Sequence, residues 1–294
     1  MEPVNTIVWR LSDDAQAAIL EADYTAHMLS IKQREAIVKL SYSMGSNPYV
    51  ALSGGIDSQA ACILLTQCGV KFTAAIMVFG NNLNAHDVDS AIAFCGLYCI
   101  PYVTIQFDIL EFLTRTLPSY VDKYDCPSPQ LLTHCRLYEI LIEQFKPSCI
   151  IGGGNPPCIR DGTWEFISSR SHSVWMNFGK IHNFPLIGNF LGYSLEIALP
   201  FMLLQPDMSM DLGQRYKAKV EGMHRLGIRV IPQQQKYTGF ELVKKYFADL
   251  TGDGWTFEKS FRLPFHIKRP EYDSILQLTA EIHEFLTDRH CALK

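Results

Sequence analysis

The sequence predicts an α/β protein in which helices cover both faces of a parallel sheet. Short apolar strands alternate with helices along the first half of the chain, and this order is typical of parallel sheets. We expect strands at residues 49–52, 71–79, 101–107 and 149–151. Those at 49–52 and 71–79 are mostly apolar, as expected for strands buried on both faces.

Length and composition are those of a globular protein with a sizeable core. The chain has 294 residues, of which 48% are hydrophobic and 19% charged, with a formal net charge of -4. This balance predicts no general affinity for nucleic acid, and no apolar run reaches the length of a membrane helix. The 9 cysteines are scattered and lack a C-x-x-C pair. They favour reduced thiols and a cytoplasmic location over disulfides or a zinc site.

The order of predicted elements divides the chain into three regions. In residues 1–47 the sequence predicts a strand at 7–11 and helical spacing at 13–29 and 30–44, and this region is expected to pack on the core as a helical lead-in. Residues 48–160 hold the strand–helix alternation and form the expected nucleotide-binding core. Residues 161–294 combine a Gly-, Ser- and aromatic-rich stretch, which suits a substrate lid, with a helical C-terminal region. We expect this last region to form one compact unit with the core.

The stretch Ser-Gly-Gly-Ile-Asp-Ser connects the first core strand to a helix. Its glycines lack a Cβ, so their N–H groups can approach an anion, and the helix start adds unpaired N–H groups and a positive dipole end. Asp57 would repel a bare phosphate, and Mg²⁺ bridging the two explains its presence. A plain capped turn is the alternative. The residues expected to bind ATP or pyrophosphate are Ser53, Gly54, Gly55, Ile56, Asp57 and Ser58.

The pattern S-G-G-x-D-S resembles the signature of the PP-loop ATP pyrophosphatases. The chain looks most like the branch that contains asparagine synthetase, and it lacks the lysine of a Walker A loop. The resemblance implies a Rossmann-like (HUP-type) domain, ATP and Mg²⁺ as cofactors, and cleavage between the α- and β-phosphates. It further implies that a carboxylate or carbonyl is adenylylated and then attacked by ammonia or an amine. Homo-oligomers are common in this family.

The resemblance also assigns residues outside the first loop. In the family, the end of the second strand holds the adenine through backbone groups. Met77, Val78 and Phe79 therefore form the expected adenine pocket, although each side chain taken singly is explained equally well as strand core. A family lysine in the C-terminal region meets the phosphates, and we predict that Lys236, just ahead of a helix, has this role. Asp57 and Lys236 are the predicted catalytic residues.

A second glycine loop, Gly152-Gly153-Gly154-Asn155, follows the fourth predicted strand. Three glycines indicate close backbone approach or a positive φ, and the predicted sheet places this loop beside the first. In asparagine synthetase the matching loop carries acids that help to hold Mg²⁺ and the substrate. Their replacement here weakens the case for aspartate as the substrate. Asp161 is a further predicted metal ligand, with a turn residue as the equal alternative.

Two other functions stay open at this point. One is a different PP-loop reaction, such as nucleobase or tRNA modification or sulfonucleotide reduction, although the chain lacks the cysteine patterns of those enzymes. The other is a non-catalytic nucleotide-binding subunit. The expected partners are a small-molecule or nucleobase substrate and a separate donor of ammonia or an amine.

Overall fold

The computed structural model is an α/β fold built on a parallel sheet. It describes residues 7–9, 23–80, 84–124, 126, 129–154, 158–160, 163–166, 169–204 and 212–232. The strands are β1 (Ile7–Trp9), β2 (Pro48–Ala51), β3 (Thr73–Phe79), β4 (Tyr102–Phe107), β5 (Cys149–Gly152), β6 (Cys158–Arg160), β7 (Thr163–Phe166) and β8 (Leu186–Ile187). The helices are α1 (Asp23–Ser41), α2 (Ile56–Gln67), α3 (Ala85–Tyr98), α4 (Ile109–Glu111), α5 (Leu117–Tyr124), α6 (Pro129–Phe145), α7 (Ser169–His182), α8 (Leu195–Leu204) and α9 (Leu212–Arg225), with a π-helical turn at Phe112–Thr116.

The main sheet has five parallel strands in the order β4-β3-β2-β5-β8. The central strand β2 ends at Ala51, which is in register with Ala75 on one side and Gly152 on the other. Two loops therefore leave neighbouring strands at the same edge of the sheet. Ligands bind at this carboxyl edge in open α/β sheets.

Adjacent residues of β2 divide the core between the two faces of the sheet. Val50 belongs to an apolar cluster with residues of α1, α2, α3, α8 and α9, whereas Tyr49 belongs to one with residues of α5, α6 and α7. Consecutive side chains of a strand point to opposite faces, so helices cover both faces. The predicted α/β class with a two-sided parallel sheet is confirmed.

Three short strands form a second, antiparallel sheet in the order β1-β7-β6. Val8 of β1 is in register with Glu165 of β7. The sequence predicts a strand from residue 7, but pairing across more than 150 residues leaves no local pattern. This pairing joins the predicted lead-in to the last predicted region.

Two segments differ from the sequence-based expectation. The spacing predicts helices at 13–29 and 30–44, whereas the described part of this stretch forms a single 19-residue helix, α1. The stretch predicted as a lid contains the helix α7 and the edge strand β8, which adds to the main sheet beside β5. β8 has only two residues, too few for a periodic signal. None of the helices that the structure describes is long and apolar enough to cross a membrane.

Candidate functional site

The loop between β2 and α2 is braced by its own serines. Gly54 has a φ of 76°, in the left-handed region that favours glycine. The Ser58 hydroxyl donates to the Gly55 carbonyl at 2.8 Å and accepts from the Ser53 N–H at 3.2 Å. The Gly55 N–H, expected to face an anion, makes a long contact of 3.4 Å with the Ser53 hydroxyl. These bonds give the loop a defined shape without a ligand.

The start of α2 carries no side-chain cap. Gly55 is the N-cap residue, with a φ of -71° and a ψ of 152°, and it has no side chain to accept from the first N–H groups. Ile56 is buried and anchors the first turn in the core. An uncapped helix start has unpaired N–H groups and a positive partial charge. At the carboxyl edge of the sheet, this arrangement suits a phosphate group.

Asp57, in the first turn of α2, is held by Lys219 of α9. Lys219 Nζ donates to Oδ2 at 2.7 Å and lies 2.6 Å from Oδ1. The second contact is short but lacks hydrogen-bond geometry, so within the described part of the chain Oδ1 is buried without a hydrogen-bond partner. The side chains of Asp57 and Lys219 are 23% and 17% exposed. The pair places a cation beside the loop, with Lys219 Nζ within 2.7 Å of both carboxylate oxygens of Asp57.

Sequence reasoning did not single out Lys219. A signal for it exists in α9, where Tyr216, Val220 and Met223 pack towards the core. Lys219 lies three residues after Tyr216 and four before Met223, on the same side of the helix. A lysine on an apolar helix face needs a partner for its charge, and that partner proves to be Asp57.

Three predicted site residues, Asn155, Asp161 and Lys236, lie outside the described residues, and their roles stay predictions. Among the residues described, no group of three His, Cys, Asp or Glu side chains could hold a metal ion. Mg²⁺ needs fewer protein ligands, because it keeps several waters and uses one or two carboxylates with substrate phosphates. Asp57 fits this donor set, since Oδ1 makes no hydrogen bond with the described residues.

The second glycine loop packs against the start of α2. A Cβ at Gly153 would lie 2.8 Å from Cα and 3.0 Å from N of Ser58, too close for any side chain. On its other side, the Gly152 carbonyl accepts from the Phe190 N–H at 2.9 Å. Gly154 has a φ of 67°. The two loops are neighbours, as the predicted sheet requires, and these glycines permit close backbone contact.

The predicted adenine pocket lies at the end of β3, and its side chains pack in the protein. Phe79 and Val78 are buried, with the Phe79 ring 5.9 Å from that of Phe107, and Met77 packs partly buried against the same cluster as Phe79. The backbone of this strand end makes two further bonds. Asn84 Nδ2 donates to the Met77 carbonyl at 2.8 Å, and the Phe79 N–H donates to Asn84 Oδ1 at 2.8 Å.

Gln59 connects the first loop to the segment that follows α9. This buried side chain donates through Nε2 to the Gly54 carbonyl at 2.7 Å and to the Ile231 carbonyl at 3.1 Å. The Ile231 N–H donates back to Oε1 at 2.7 Å. Both groups of the amide are therefore bonded, which is required of a buried amide. The backbone at Ile231 is therefore held close to the first glycine loop.

A second acid, Glu139 of α6, lies among the helices that cover the other face. Its carboxylate contacts the hydroxyls of Tyr120 and Tyr124, Lys123 Nζ at 2.6 Å, His182 Nε2 at 3.3 Å and Arg136 Nη1 at 3.4 Å. Burial raises the pKa of this carboxyl, but hydrogen bonds from Lys123 and the two tyrosines outweigh burial and hold it below its ordinary value. Both carboxylate oxygens of Glu139 thus have several partners in this cluster, which we call a saturated network.

Cys62, Cys95 and Cys149 form no disulfide bond. Burial raises the pKa of Cys62 well above its ordinary value and raises those of Cys95 and Cys149 to about 11. Nucleophilic cysteines need a lowered pKa, because the thiolate is the reactive species. These three residues are inert core thiols.

No family model matches the chain, and its sequence matches no curated protein. Solved structures do match. A predicted subunit of tRNA methyltransferase from Methanocaldococcus jannaschii has 18% identity and a TM-score of 0.36, with 65% of this chain and 94% of that chain covered. NMN synthetase from Francisella tularensis has 18% identity and a TM-score of 0.35, and the match covers 73% of this chain and 100% of that chain. The U34-tRNA thiolase NcsA from Methanococcus maripaludis has 14% identity and a TM-score of 0.37, and the match covers 88% of this chain and 79% of that chain. At such scores we infer nothing about this chain's chemistry from these proteins.

Proposed function

We propose that the chain binds ATP on residues 53–58 and cleaves it between the α- and β-phosphates, releasing pyrophosphate. One observation carries the proposal: S-G-G-x-D-S forms a braced loop and an uncapped helix start at the carboxyl edge of the central strand. Such a helix start attracts phosphate through its N–H groups and its dipole. The motif supplies the reaction class, and its folded context supports that class.

The charges beside the loop suit this reaction. Attack at the α-phosphorus builds negative charge on the departing pyrophosphate, and fixed positive groups stabilise that charge. Lys219, 2.7 Å from Asp57, is a cation already at the loop, and Lys236 is the alternative from the sequence. Mg²⁺, when bound with ATP, supplies further neutralisation, and Asp57 is the described residue that would hold it.

The proposed acceptor is a carboxylate or carbonyl group of a small molecule or a nucleobase. Its oxygen attacks the α-phosphorus, the bond to the pyrophosphate oxygen breaks, and an adenylate forms. Ammonia or an amine then attacks the activated carbon, and AMP leaves with the acceptor oxygen. This asparagine synthetase-like amidation rests on the resemblance of the motif. The glycines at 152–154 argue against aspartate itself.

A non-catalytic nucleotide-binding subunit is the second candidate function. Two observations favour it: Lys219 already pairs with Asp57, and the second loop offers backbone contacts from glycine instead of acids. Thiol-dependent reactions have less support, because the pKa values of Cys62, Cys95 and Cys149 are raised.

Pyrophosphate release separates the two functions. The purified protein is incubated with Mg-ATP, ammonium or amines, and pools of carboxylic acids, nucleobases or RNA. The enzyme is expected to release AMP and pyrophosphate in equal amounts when one pool is present. Nucleotide binding without pyrophosphate in every pool would instead assign the subunit role. A protein that binds neither ATP nor pyrophosphate would contradict both.

A further inference from the structure

The edge of β3 that faces the first loop extends beyond its neighbouring strand. The Leu52 N–H donates to the Ala75 carbonyl at 2.9 Å, so residue 75 faces β2. Backbone groups of alternate residues point to the same side of a strand, and Met77 and Phe79 therefore face this side too. There β2 has already turned into the loop. None of the described strands pairs with this edge of β3 beyond residue 75.

Asn84 covers this open edge. Its carboxamide makes both of its strong bonds to the strand, to the Met77 carbonyl and the Phe79 N–H, each at 2.8 Å. Asn84 is also the N-cap residue of α3, but its side chain makes no cap hydrogen bond. Ser90, one and a half turns further along α3, donates to the Gly54 carbonyl at 3.3 Å, so this helix touches both the strand edge and the loop.

The carboxamide presents one N–H donor beside one oxygen acceptor. The Watson–Crick edge of adenine presents the same pair, with the 6-amino group as donor and N1 as acceptor. We propose that Asn84 occupies the place of the adenine base, and that ATP displaces the carboxamide and takes over both of its hydrogen bonds. This inference rests on the proposed function, because it concerns the base of the same nucleotide.

The exchange replaces two hydrogen bonds with two of the same kind. The base therefore gains little from these bonds in the wild-type protein. Removal of the carboxamide leaves the Met77 carbonyl and the Phe79 N–H without that competitor, so an adenine nucleotide gains bonds that it otherwise only exchanges. For two net hydrogen bonds, the expected gain in affinity is roughly thirtyfold.

Calorimetry of Asn84→Ala tests the proposal. Binding of Mg-ATP and of Mg-pyrophosphate is measured for the wild type, for Asn84→Ala and for the control Asn177→Ala. Asn177 also donates its amide to a backbone carbonyl, that of Tyr124 at 3.4 Å, but on helices of the other sheet face. We expect Asn84→Ala to bind ATP roughly thirtyfold tighter with pyrophosphate unchanged, and Asn177→Ala to match the wild type.

The other outcomes overturn the proposal in distinguishable ways. Unchanged or weaker ATP binding by Asn84→Ala shows that the carboxamide does not compete with the base. A parallel gain for pyrophosphate shows that the effect lies at the phosphates. Failure of the wild type to bind either ligand contradicts the proposed function itself.

A second measurement needs no variant. The side-chain amide signals of Asn84, assigned by selective ¹⁵N labelling of the wild-type protein, are followed during titration with AMP. Displacement is expected to move them towards the shifts and the solvent exchange of an exposed amide. Signals that stay unchanged at saturation overturn the proposal even if Asn84→Ala does not fold.

Discussion

Asp57 and Glu139 are acids with low exposure, and the protein surrounds them in opposite ways. Glu139, whose side chain is 6% exposed, contacts two tyrosine hydroxyls, Lys123, Arg136 and His182. Asp57 has one cation, Lys219, and within the described residues its Oδ1 makes no hydrogen bond.

We propose that the difference separates a structural acid from a functional one. Without Glu139, the buried hydroxyls of Tyr120 and Tyr124 lose an acceptor, so the network contributes to stability. Among the described residues Asp57 has a single cation as partner, and it lies beside an uncapped helix start, where a phosphate group can bind. Each of the following predictions is directed at one side of this comparison.

The largest expected effect is loss of activity in Asp57→Ala. Pyrophosphate release should fall about 1000-fold, because the residue that would hold Mg²⁺ at the phosphates is gone. The fold should stay intact, but the free energy of unfolding should fall by about 2 kcal/mol, because Lys219, whose side chain is 17% exposed, loses the partner of its charge. The control Asp122→Ala, at an exposed position of α5, should keep full activity. Undiminished turnover in Asp57→Ala would show that Asp57 is not needed for pyrophosphate release.

Glu139→Ala should lower the stability of the protein without lowering its rate of pyrophosphate release. Its free energy of unfolding should fall by about 3 kcal/mol, because the Tyr120 and Tyr124 hydroxyls and Lys123 Nζ lose their common acceptor. Pyrophosphate release per folded molecule should match the wild type. Urea unfolding gives the first quantity, with Glu143→Ala as the exposed control. A loss as small as that of the control would show that the network is dispensable.

Lys219→Met should lower pyrophosphate release about 30-fold, because the leaving pyrophosphate loses a stabilising cation. Lys219→Arg, which keeps the charge, should recover part of the rate. Lys217→Met changes an exposed lysine of the same helix and should have no effect. An unchanged rate in Lys219→Met would leave Lys236 as the phosphate lysine.

The smallest expected effect is a pH dependence of stability from the Glu139 network. Burial lowers the pKa of His182 more than the nearby Glu139 carboxylate raises it, and the pKa of Glu139 is also lowered. The unfolded chain then binds protons at higher pH than the folded one. Stability should therefore decline as pH falls below about 6.5, and further below about 4.3.

Urea midpoints between about pH 8 and about pH 3 measure this dependence. In His182→Gln, the loss of stability that begins below about pH 6.5 should disappear, whereas the loss below about pH 4.3 should remain. A wild-type midpoint that rises on acidification would contradict the sign of both pKa shifts.

Local patterns in the sequence were sufficient for the framework of the site. The strand, the glycine loop and the helix at 49–67 are contiguous, so their residue types alone predict the shape. Long-range pairs were not predictable in this way. Lys219 meets Asp57 across 162 residues, and no local pattern connects them.

The predicted adenine pocket shows the same limit. Apolar strand residues such as Met77 and Phe79 suit both a pocket wall and a core, so their residue types do not decide between the two, and the pocket stays a prediction. The hydrogen bonds of Asn84 to Met77 and Phe79 were also not predictable, because propensity does not indicate which backbone groups a side chain will meet.

The close approach of Gly153 to Ser58 has a consequence for how this sequence can vary. All other amino acids begin with a Cβ, and that atom would overlap the backbone of the first helical turn. These are backbone atoms, which cannot adopt another rotamer to relieve the overlap as a flexible side chain can. The shape of one loop therefore dictates the residue at another position about a hundred residues away. In a library of all substitutions at position 153, glycine should be the residue recovered from folded, ATP-binding variants.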